Sequence, residues 1–421
     1  MALLLRLRDD ALLQCICRVP FVAHDAVRCV CRRLRDLAAR DRLRRARRAA
    51  GWEENALVVA GGFGFFQHAP EEFEDCDYED YRDVFALLSG RWRRMASLPV
   101  GRCQCGVVVK DDAIWCIGGS ITLREEGEEE AIHIDGAHEV AIFKPSENSW
   151  TIVEAPELLP RCFGATVLSP GGDVIRIGGF HPQSQANEVN IIEDQHAIRE
   201  VEVSSGDDGA SWRLHPEIPD PVGAGARLYF GHRAIGVFKS ELFLTGGLVR
   251  RPGSGYQTEF RIFDFVTKEW TMGPSLPLSI CEPAGLMHRG LFYVIGGMHG
   301  PATADGYVDT ASNAVYVFDT TADRETASWS RACDLPTPRC YHSAVVHEDR
   351  IVIVGGRSKA YMCEDSVCAN LYLSDDGLEW LEAPALPRPD LDQPASRLDE
   401  QVRAYSVGIP SSPMAASVPI G

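Results

Sequence analysis

Short apolar runs that end in a pair of glycines recur along most of the chain. Each run is rich in β-branched and aromatic residues and stops at the glycines, which is typical of a buried strand that ends in a turn. The second glycines of successive pairs lie 50 to 68 positions apart. The pairs are Gly61-Gly62, Gly118-Gly119, Gly178-Gly179, Gly246-Gly247, Gly296-Gly297 and Gly355-Gly356.

The same further signals follow each glycine pair in a constant order. A second strand comes first, then an isolated tryptophan, then a Leu-Pro or Ile-Pro turn, and then a strand that leads to the next pair. The order predicts a unit of four strands, present six times, in which the tryptophan packs between neighbouring units. The tryptophans are Trp92, Trp150, Trp212, Trp270, Trp329 and Trp380, six of the eight in the chain.

This order of glycine pair, tryptophan and proline turn resembles the kelch repeat. The resemblance covers residues 56 to about 409 and implies an all-β fold, a six-bladed β-propeller, over residues 51–409. The first pair lacks a preceding strand of this kind, whereas residues 403–408 fit the missing pattern. We therefore expect this C-terminal strand to enter the first blade and close the ring, and residues 410–421 to form a flexible tail.

The N-terminal segment, residues 1–50, has a helical pattern. Apolar residues recur at helical spacing in a helix that Pro20 ends and in a second helix over residues 26–37. A segment of this size buries little apolar surface by itself. We therefore expect its apolar stripe to need a partner chain.

The segment resembles an F-box. Leu7-Arg8-Asp9-Asp10 matches the opening of the family, and residues 30–37 match its later run, with Arg8 in place of a proline and Leu34 in place of a tryptophan. The resemblance implies a substrate receptor of a Skp1–cullin–F-box ubiquitin ligase, which binds a Skp1-like adaptor through the helices and a target protein through the propeller rim. It implies adaptor contacts at Leu7, Leu12, Ile16, Val19, Pro20, Val30 and Leu34.

Two alternatives to this interpretation stay open. The apolar residues of the segment could pack against the underside of the propeller instead of an adaptor. The whole protein could also be a kelch interaction scaffold without ligase function, such as a cytoskeletal or redox-sensing adaptor. Co-purification of a Skp1-like adaptor would distinguish the receptor from the scaffold.

The charge is divided unevenly along the chain. Residues 1–50 contain 13 Arg and 5 Asp, a net charge of +8, which leaves −26 for the remainder of a chain whose net charge is −18. The acidic remainder argues against nucleic acid as a ligand, since it repels phosphate. The basic run at residues 40–48 is interpreted as a solvated helix or a linker helix that meets an acidic neighbour. The acidic insertions at residues 71–80 and 121–130 fit either a basic target or solvated loops.

Arginines begin equivalent strands and are expected to ring one face of the propeller. Arginine grips carboxylates well, yet a residue repeated in every blade is more often part of a framework ion pair, and we place that interpretation first. Residues that differ between blades at this rim are better candidates for contact with a target. The target-binding candidates are Arg102, Arg161, Phe163, Arg339, Tyr341, His342 and Arg403.

No motif in the chain indicates catalysis, so we expect no enzymatic activity, no cofactor and no metal site. The pairs Cys15/Cys17 and Cys29/Cys31 lack the spacing of a zinc site, and Cys363 and Cys368 are weak candidates for redox-sensing thiols. No apolar stretch is long enough to cross a bilayer, and the N-terminus lacks a signal-peptide pattern. We therefore expect the protein in the cytoplasm, the nucleus or both, with its 14 cysteines reduced.

Overall fold

A computed structural model of the chain contains a cluster of helices followed by six four-stranded antiparallel sheets. The described helices are Asp9–Cys17 (α1), His24–Val30 (α2), Arg32–Leu37 (α3) and Arg40–Ala50 (α4). We call this cluster, residues 6–51, the head. The structure describes residues 6–19, 23–51, 54–67, 76–88, 90–123, 132–134, 136–162, 164–179, 201–204, 206, 208–215, 234–247, 256–300, 302–303, 306–307, 310–358, 369–385 and 414–420.

The six sheets are the blades, each named by its strands in order from the first to the fourth. Blade 1 comprises Met414–Ile420, Glu54–Ala60, Val84–Leu88 and Arg91–Arg94; blade 2 comprises Gly106–Lys110, Ala113–Ile117, Glu139–Lys144 and Ser149–Glu154. Blade 3 comprises Ala165–Leu168, Val174–Ile177, Val201–Ser204 and Arg213–His215; blade 4 comprises Ala234–Phe238, Glu241–Thr245, Phe260–Asp264 and Trp270–Met272. Blade 5 comprises Ala284–His288, Leu291–Ile295, Val315–Asp319 and Trp329–Arg331; blade 6 comprises Ser343–His347, Arg350–Val354, Leu371–Leu373 and Trp380–Glu382.

The blades form a closed ring. The first strand of each blade contacts the first strands of both neighbouring blades, and this series runs without interruption from blade 1 through blade 6 and back. First strands therefore line the centre, and fourth strands lie at the rim. The predicted six-bladed propeller is confirmed.

The C-terminus closes the ring, but not with the predicted segment. Met414–Ile420 pairs antiparallel with Glu54–Ala60, in a register that joins Glu54 to Ile420 and Ala60 to Met414. The prediction followed a motif at residues 403–408, whereas the pairing uses a later segment whose small Ala416 is buried in the core between blades 1 and 2. The predicted flexible tail at 410–421 is therefore wrong over residues 414–420. Residues 403–408 lie outside the described residues.

The two ends of the ring differ in their connections. The second strands end at the glycine pairs, and the antiparallel third strands begin at the same end of the ring, which we call the loop face. Tight turns between strands one and two and between strands three and four form the opposite end, the turn face. Additional strands on the loop face are Phe63–Gln67, Cys76–Asp80, Gly101–Cys103, Ser120–Leu123, Ile132–Ile134, Met298–His299, Ala302–Thr303, Gly306–Tyr307 and Thr310–Ala311.

The constant position of the tryptophans in the repeat has a clear structural reason. Trp150 of blade 2 packs on Phe143, with ring centroids 4.9 Å apart, and its Nε1 donates a 2.8 Å hydrogen bond to the Ala96 carbonyl of blade 1. The predicted packing between blades is therefore supplemented by a hydrogen bond to the proline turn of the preceding blade. Equivalent bonds join Trp92 to Pro384, Trp329 to Pro274 and Trp380 to Cys333.

Candidate interaction surfaces

Three of the predicted target-binding arginines form a repeated framework contact. Arg102, Arg161 and Arg339 each donate from Nη1 to the carbonyl oxygen of the first glycine in the pair that follows, and all three side chains are buried. The distances are 2.7 Å to Gly118, 2.8 Å to Gly178 and 3.0 Å to Gly355. The bond links the segment just before the first strand of each of these blades to the end of its second strand.

Carboxylates balance these buried guanidinium groups in two blades. Arg102 pairs with Glu139 in blade 2. In blade 3, Arg161 Nη2 lies 3.0 Å from Glu202 Oε2, and Arg176 Nη1 lies 3.1 Å from the same oxygen. Because these groups are buried and bonded inside the propeller, the framework interpretation, which came first on the sequence alone, accounts for them. Arg403 lies outside the described residues.

The second glycine of each pair lies close to the backbone of the residue that follows each of these arginines. Gly119 has φ +84°, and a Cβ there would lie 2.4 Å from the carbonyl oxygen of Cys103. Gly356 has the same relation to Cys340, at 2.7 Å. Any side chain would clash with this backbone, which is why the second glycine recurs. In blade 5, Cys281 takes the same position without a preceding arginine. Cys281 was not predicted from the sequence, although its distance of 16 positions from Gly297 matches that of Cys340 from Gly356.

The residue after each of these cysteines has an unusual backbone. Gln104, Glu282 and Tyr341 all have φ +55°, the left-handed region that residues other than glycine rarely adopt. Each is half-buried on the loop face. In blades 2, 5 and 6 the position therefore carries a different side chain at the same backbone φ angle, as expected of a surface that varies for recognition. Phe163, the equivalent residue of blade 3, lies outside the described residues.

Tyr341 belongs to an ordered patch on the loop face. The Arg357 guanidinium lies over its ring at 4.5 Å from the centroid, a cation–π contact. Burial, followed by the nearby Glu282 carboxylate, raises the pKa of the Tyr341 hydroxyl, so it stays protonated. Below it lies an apolar cluster of Tyr256, Cys281, Met298, Ala311 and Cys340, from the connections of blades 4 to 6. We call Tyr341, Arg357 and Glu282 the aromatic patch.

His342 does not lie on the surface as a target-binding residue would. It is buried between blades 5 and 6, and its Cε1 lies 2.8 Å from where a Cβ on Gly296 would be. Burial, with the positive charge of Arg339, lowers the pKa of His342 to about 3. The prediction grouped it with Tyr341 because both differ between blades at this rim, but adjacent residues at the start of a strand point in different directions.

The head has its own apolar core. Leu12, Ile16 and Leu34 are buried there, together with Leu37 and Leu43. The expectation that the stripe needs a partner chain is therefore wrong for these residues. Helix α4 supplies the missing cover, because it packs against α1, whereas the prediction had treated its basic run as a separate feature. Val19 is half-buried, and Pro20 lies outside the described residues.

A buried arginine attaches the head to the propeller. Arg47 is 2% exposed, and its Nη1 donates to the carbonyl oxygens of Cys17 at 2.7 Å and Val19 at 2.6 Å. Its Nη2 lies 3.4 Å from Glu54 of blade 1, and Arg48 pairs with Asp112 of blade 2 at 2.8 Å. The basic run thus meets acidic neighbours, which was one of the two interpretations of residues 40–48. Asp112 lies in a tight turn, so the head sits at the turn face.

Two of the family-matched apolar residues stay exposed. Leu7 is 38% exposed and Val30 is 43% exposed. Arg33, in the helix that follows Val30, donates from Nη2 to the Leu7 carbonyl at 2.6 Å and from Nε to Asp9 at 2.8 Å. We call Leu7, Val30 and Arg33 the head tip.

The described part of the chain contains no group of three His, Cys, Asp or Glu side chains that could hold a metal ion. Cys15 and Cys29 are exposed, whereas Cys17 is buried, so the cysteine pairs of the head do not share one environment. No helix among the described residues is both long enough and apolar enough to cross a membrane. Cys363 and Cys368 lie outside the described residues.

Comparisons with known proteins identify kelch-repeat relatives. The chain is 24% identical to Beta-scruin of Limulus polyphemus over 284 residues, 26% identical to Kelch-like protein 41b of Danio rerio over 210, and 24% identical to Kelch-like protein 40 of Xenopus tropicalis over 268. These alignments cover 67%, 50% and 63% of the chain, but only 27%, 30% and 38% of the relatives. No protein-family model matches the chain.

The fold also matches a solved structure. The structure of YjhT superimposes with a TM-score of 0.55 at 13% identity and covers 72% of this chain and 94% of that protein. At this identity the likeness concerns the fold alone. Together the comparisons and the ring of blades show a six-bladed propeller that is similar in sequence to kelch-repeat proteins. They assign no role to the head.

Proposed function

We propose that the protein is a non-catalytic receptor that connects a target protein on the loop face with an adaptor protein at the head. One observation carries the proposal: the head is attached at the turn face through Arg47 and Arg48, while the glycine pairs and the aromatic patch lie at the opposite face. Two partners bound at these ends would not compete for space. A rigid closed ring between them would hold them in a constant orientation.

The aromatic patch is the proposed centre of target binding. Aromatic side chains contribute strongly to the energetics of protein interfaces, and the half-buried Tyr341 is held in place by its cation–π contact with the buried Arg357. The left-handed backbone of Tyr341 and the apolar cluster below it reduce the entropy lost on binding. Arg102, Arg161 and Arg339 support this surface from below as framework residues.

The adaptor is proposed to be of the Skp1 type, and the complete assembly a cullin ubiquitin ligase. The F-box resemblance supports this proposal, together with the exposure of Leu7 and Val30 at the head tip. The buried members of the matched set, Leu12, Ile16 and Leu34, shape the head rather than contact the adaptor. Exposed apolar side chains beside arginine on a small helical unit suit a partner that covers them.

Co-purification with a Skp1-like adaptor tests this assignment. Wild type is expected to retain the adaptor, and the double variant Leu7→Asp/Val30→Asp to lose it, because two carboxylates would be placed in an apolar contact. Leu214→Asp is the matched control, since Leu214 is 62% exposed on the rim of blade 3. All proteins should share one unfolding midpoint. A wild-type protein that fails to retain the adaptor refutes the ligase assignment.

A scaffold without ligase function is the second candidate. It is favoured by the closed core of the head, which leaves only a small apolar surface for an adaptor. A scaffold would still capture targets on the loop face but would not support ubiquitin transfer in a reaction reconstituted with adaptor, cullin and the conjugating enzymes. Transfer that depends on Val30 would exclude it.

The target surface is tested separately by affinity capture with the full chain while the proteasome is inhibited. Tyr341→Ala is expected to lose the specific target, because it removes both the ring and the support of the Arg357 guanidinium. Arg331→Ala is the control, since this arginine is 54% exposed on the fourth strand of blade 5. A set of captured proteins that is identical for the two variants and wild type would refute the aromatic patch as the binding surface.

A further inference from the structure

A cavity of about 250 Å³ lies between blades 3 and 4. Its walls are apolar and come from second and third strands: Ile175, Ile177, Val201 and Val203 of blade 3, with Leu242 and Phe263 of blade 4. These residues belong to one buried cluster of the propeller core. The cavity is smaller than sites for drug-sized ligands, which begin at about 300 Å³, so it suits a small or narrow ligand.

The neighbouring seam, between blades 4 and 5, carries larger side chains at the corresponding positions. Blade 4 presents Phe243 and Phe260 towards blade 5, where the two rings stack at 6.0 Å and fill the seam. Phe243 lies three positions before its glycine pair, and Phe260 pairs with the residue directly before that pair. The corresponding residues of blade 3 are Ile175 and Val201. The cavity therefore lies at a seam with aliphatic side chains at two positions where the next seam has phenylalanine rings.

The mouth of the cavity is polar and carries two cations. Arg213, at the start of the fourth strand of blade 3, and Lys268, in the last turn of blade 4, both line the cavity and are exposed. Asp173 is the single carboxylate of the lining. The net charge of these three groups is positive. The apolar wall residues are buried and the two cations are exposed, so the cavity is apolar inside and charged at its mouth.

The turns that form the mouth are well ordered by hydrogen bonds. In blade 3, the Asp173 N–H donates to Ser169 Oγ at 3.0 Å. In blade 4, the Lys268 N–H donates to the Asp264 carbonyl at 2.9 Å, and the Lys268 ammonium lies 6.0 Å from the Phe265 ring centroid. The site is thus largely formed before a ligand arrives, as ligand sites usually are.

We propose that this cavity binds a medium-chain carboxylate, with the alkyl chain between the blades and the carboxylate at Arg213 and Lys268. The apolar walls exclude strongly polar ligands, because no wall residue among those named offers a hydrogen bond. The cationic mouth selects an anionic head group over a neutral one. This inference is independent of the proposed receptor function, since the cavity lies between blades 3 and 4 and involves neither the aromatic patch nor the head tip.

Titration of the full chain with butanoate, hexanoate and octanoate, followed by calorimetry and by the fluorescence of Trp270 in the cavity wall, tests the proposal. Affinity should rise about 15-fold for each two methylenes while the chain fits, since one buried methylene contributes about 0.8 kcal/mol. Octanol, with the same chain and no charge, should bind more weakly than octanoate. Absence of octanoate binding, or equal binding of octanol, overturns the proposal.

Val201→Phe restores the ring that blade 4 has at Phe260 and is expected to abolish octanoate binding without lowering the unfolding midpoint. Leu214→Phe is the matched control on the exposed rim of blade 3 and should bind octanoate as wild type does. If Val201→Phe fails to fold, Lys268→Gln provides the test on an exposed residue. This variant should weaken octanoate binding by up to about fivefold and leave octanol binding unchanged. A folded Val201→Phe, or a Lys268→Gln variant, that binds octanoate like wild type overturns the proposal.

Discussion

The head and the propeller both bury arginine, but they use it differently. In the propeller, the same bond from an arginine to the first glycine of a pair occurs in blades 2, 3 and 6. In the head, Arg47 makes a set of contacts that occurs once and joins the end of α1 to blade 1. A buried guanidinium thus stabilises a repeated unit in one region and connects two different units in the other.

The two regions should therefore respond differently to damage. In the closed ring every blade packs against both of its neighbours. The loss of one framework contact should therefore lower the free energy of unfolding of the whole propeller, which unfolds cooperatively. The head is attached through Arg47, which is buried, and Arg48, which is exposed, so the loss of the buried Arg47 should loosen the head and leave the ring intact. The following changes test that difference, from the largest expected effect to the smallest.

Glu202→Ala should have the largest effect. Glu202 is 1% exposed and pairs with both Arg161 and Arg176, so its removal leaves two buried guanidinium groups without their counter-charge. The free energy of unfolding should fall by roughly 3–5 kcal/mol, measured by urea denaturation. Glu147→Ala, which removes an exposed pair with Lys144, is the control and should leave the midpoint unchanged. Equal midpoints for the two variants would contradict the framework role.

Arg47→Met should act on the head alone. The substitution keeps much of the apolar volume but removes the donor to the Cys17 carbonyl and one of the two partners of the Val19 carbonyl, the other being His24 Nε2. We expect the head to open more easily by roughly 2–3 kcal/mol, seen as faster hydrogen exchange and proteolysis in residues 6–51. The propeller transition should not move. Arg42→Met, at an exposed position of the same helix, is the control. A parallel loss of propeller stability would remove the distinction between the two regions.

His342 should make the ring sensitive to acid. Its pKa is about 3 in the folded state against 6.5 as an ordinary value, so below pH 6.5 the unfolded state takes up a proton that the folded state does not. Its contribution to stability is therefore complete above about pH 6.5 and is lost as the pH falls towards 3. Between pH 6.5 and 5 the loss should be about 2 kcal/mol.

His342→Gln should flatten this part of the stability profile, measured by denaturation at successive pH values. Burial also lowers the pKa of His24, His288 and His347, and these residues remain in both proteins. The difference between the two profiles therefore reports on His342. Parallel profiles for wild type and variant would show that His342 is not a buried neutral group in the folded state.

Trp150→Phe should have the smallest effect. The variant keeps a ring next to Phe143 but loses the donor to the Ala96 carbonyl across the seam between blades 1 and 2. A loss of about 1 kcal/mol is expected. Trp212→Phe is an informative comparison, because Trp212 donates to Gly209 of its own blade instead. If only Trp150→Phe lowers the cooperativity of unfolding, the hydrogen bonds between blades connect the ring.

The repeat made much of the propeller predictable. Glycine pairs, tryptophans and proline turns recur in every blade, so the number of blades and the positions of the second strands followed from spacing alone. The framework role of Arg161 was also foreseeable, since a residue repeated in each unit serves what the units share. Cys281 was overlooked because the arginine that marks this position elsewhere is absent in blade 5.

Residues that occur once were harder to predict. Leu12 and Ile16 have the same helical spacing whether a partner or α4 covers them, and the sequence does not distinguish these cases. The closing strand was assigned to 403–408 by motif, whereas a first strand is selected by what fits beside Glu54–Ala60 over its whole length. His342 and Tyr341 are neighbours in the chain, yet one is buried and the other joins the aromatic patch.

The amino-acid sequence by itself determined the kind of fold, the number of blades, the seams filled by tryptophan and the division into a basic segment and an acidic ring, because these depend on periodicity and composition. Tertiary structure alone decided that the head covers its own apolar stripe, that Arg47 attaches it at the turn face, and that a cavity separates blades 3 and 4. Each of these depends on which side chains from distant parts of the chain meet, and spacing along the chain does not record that.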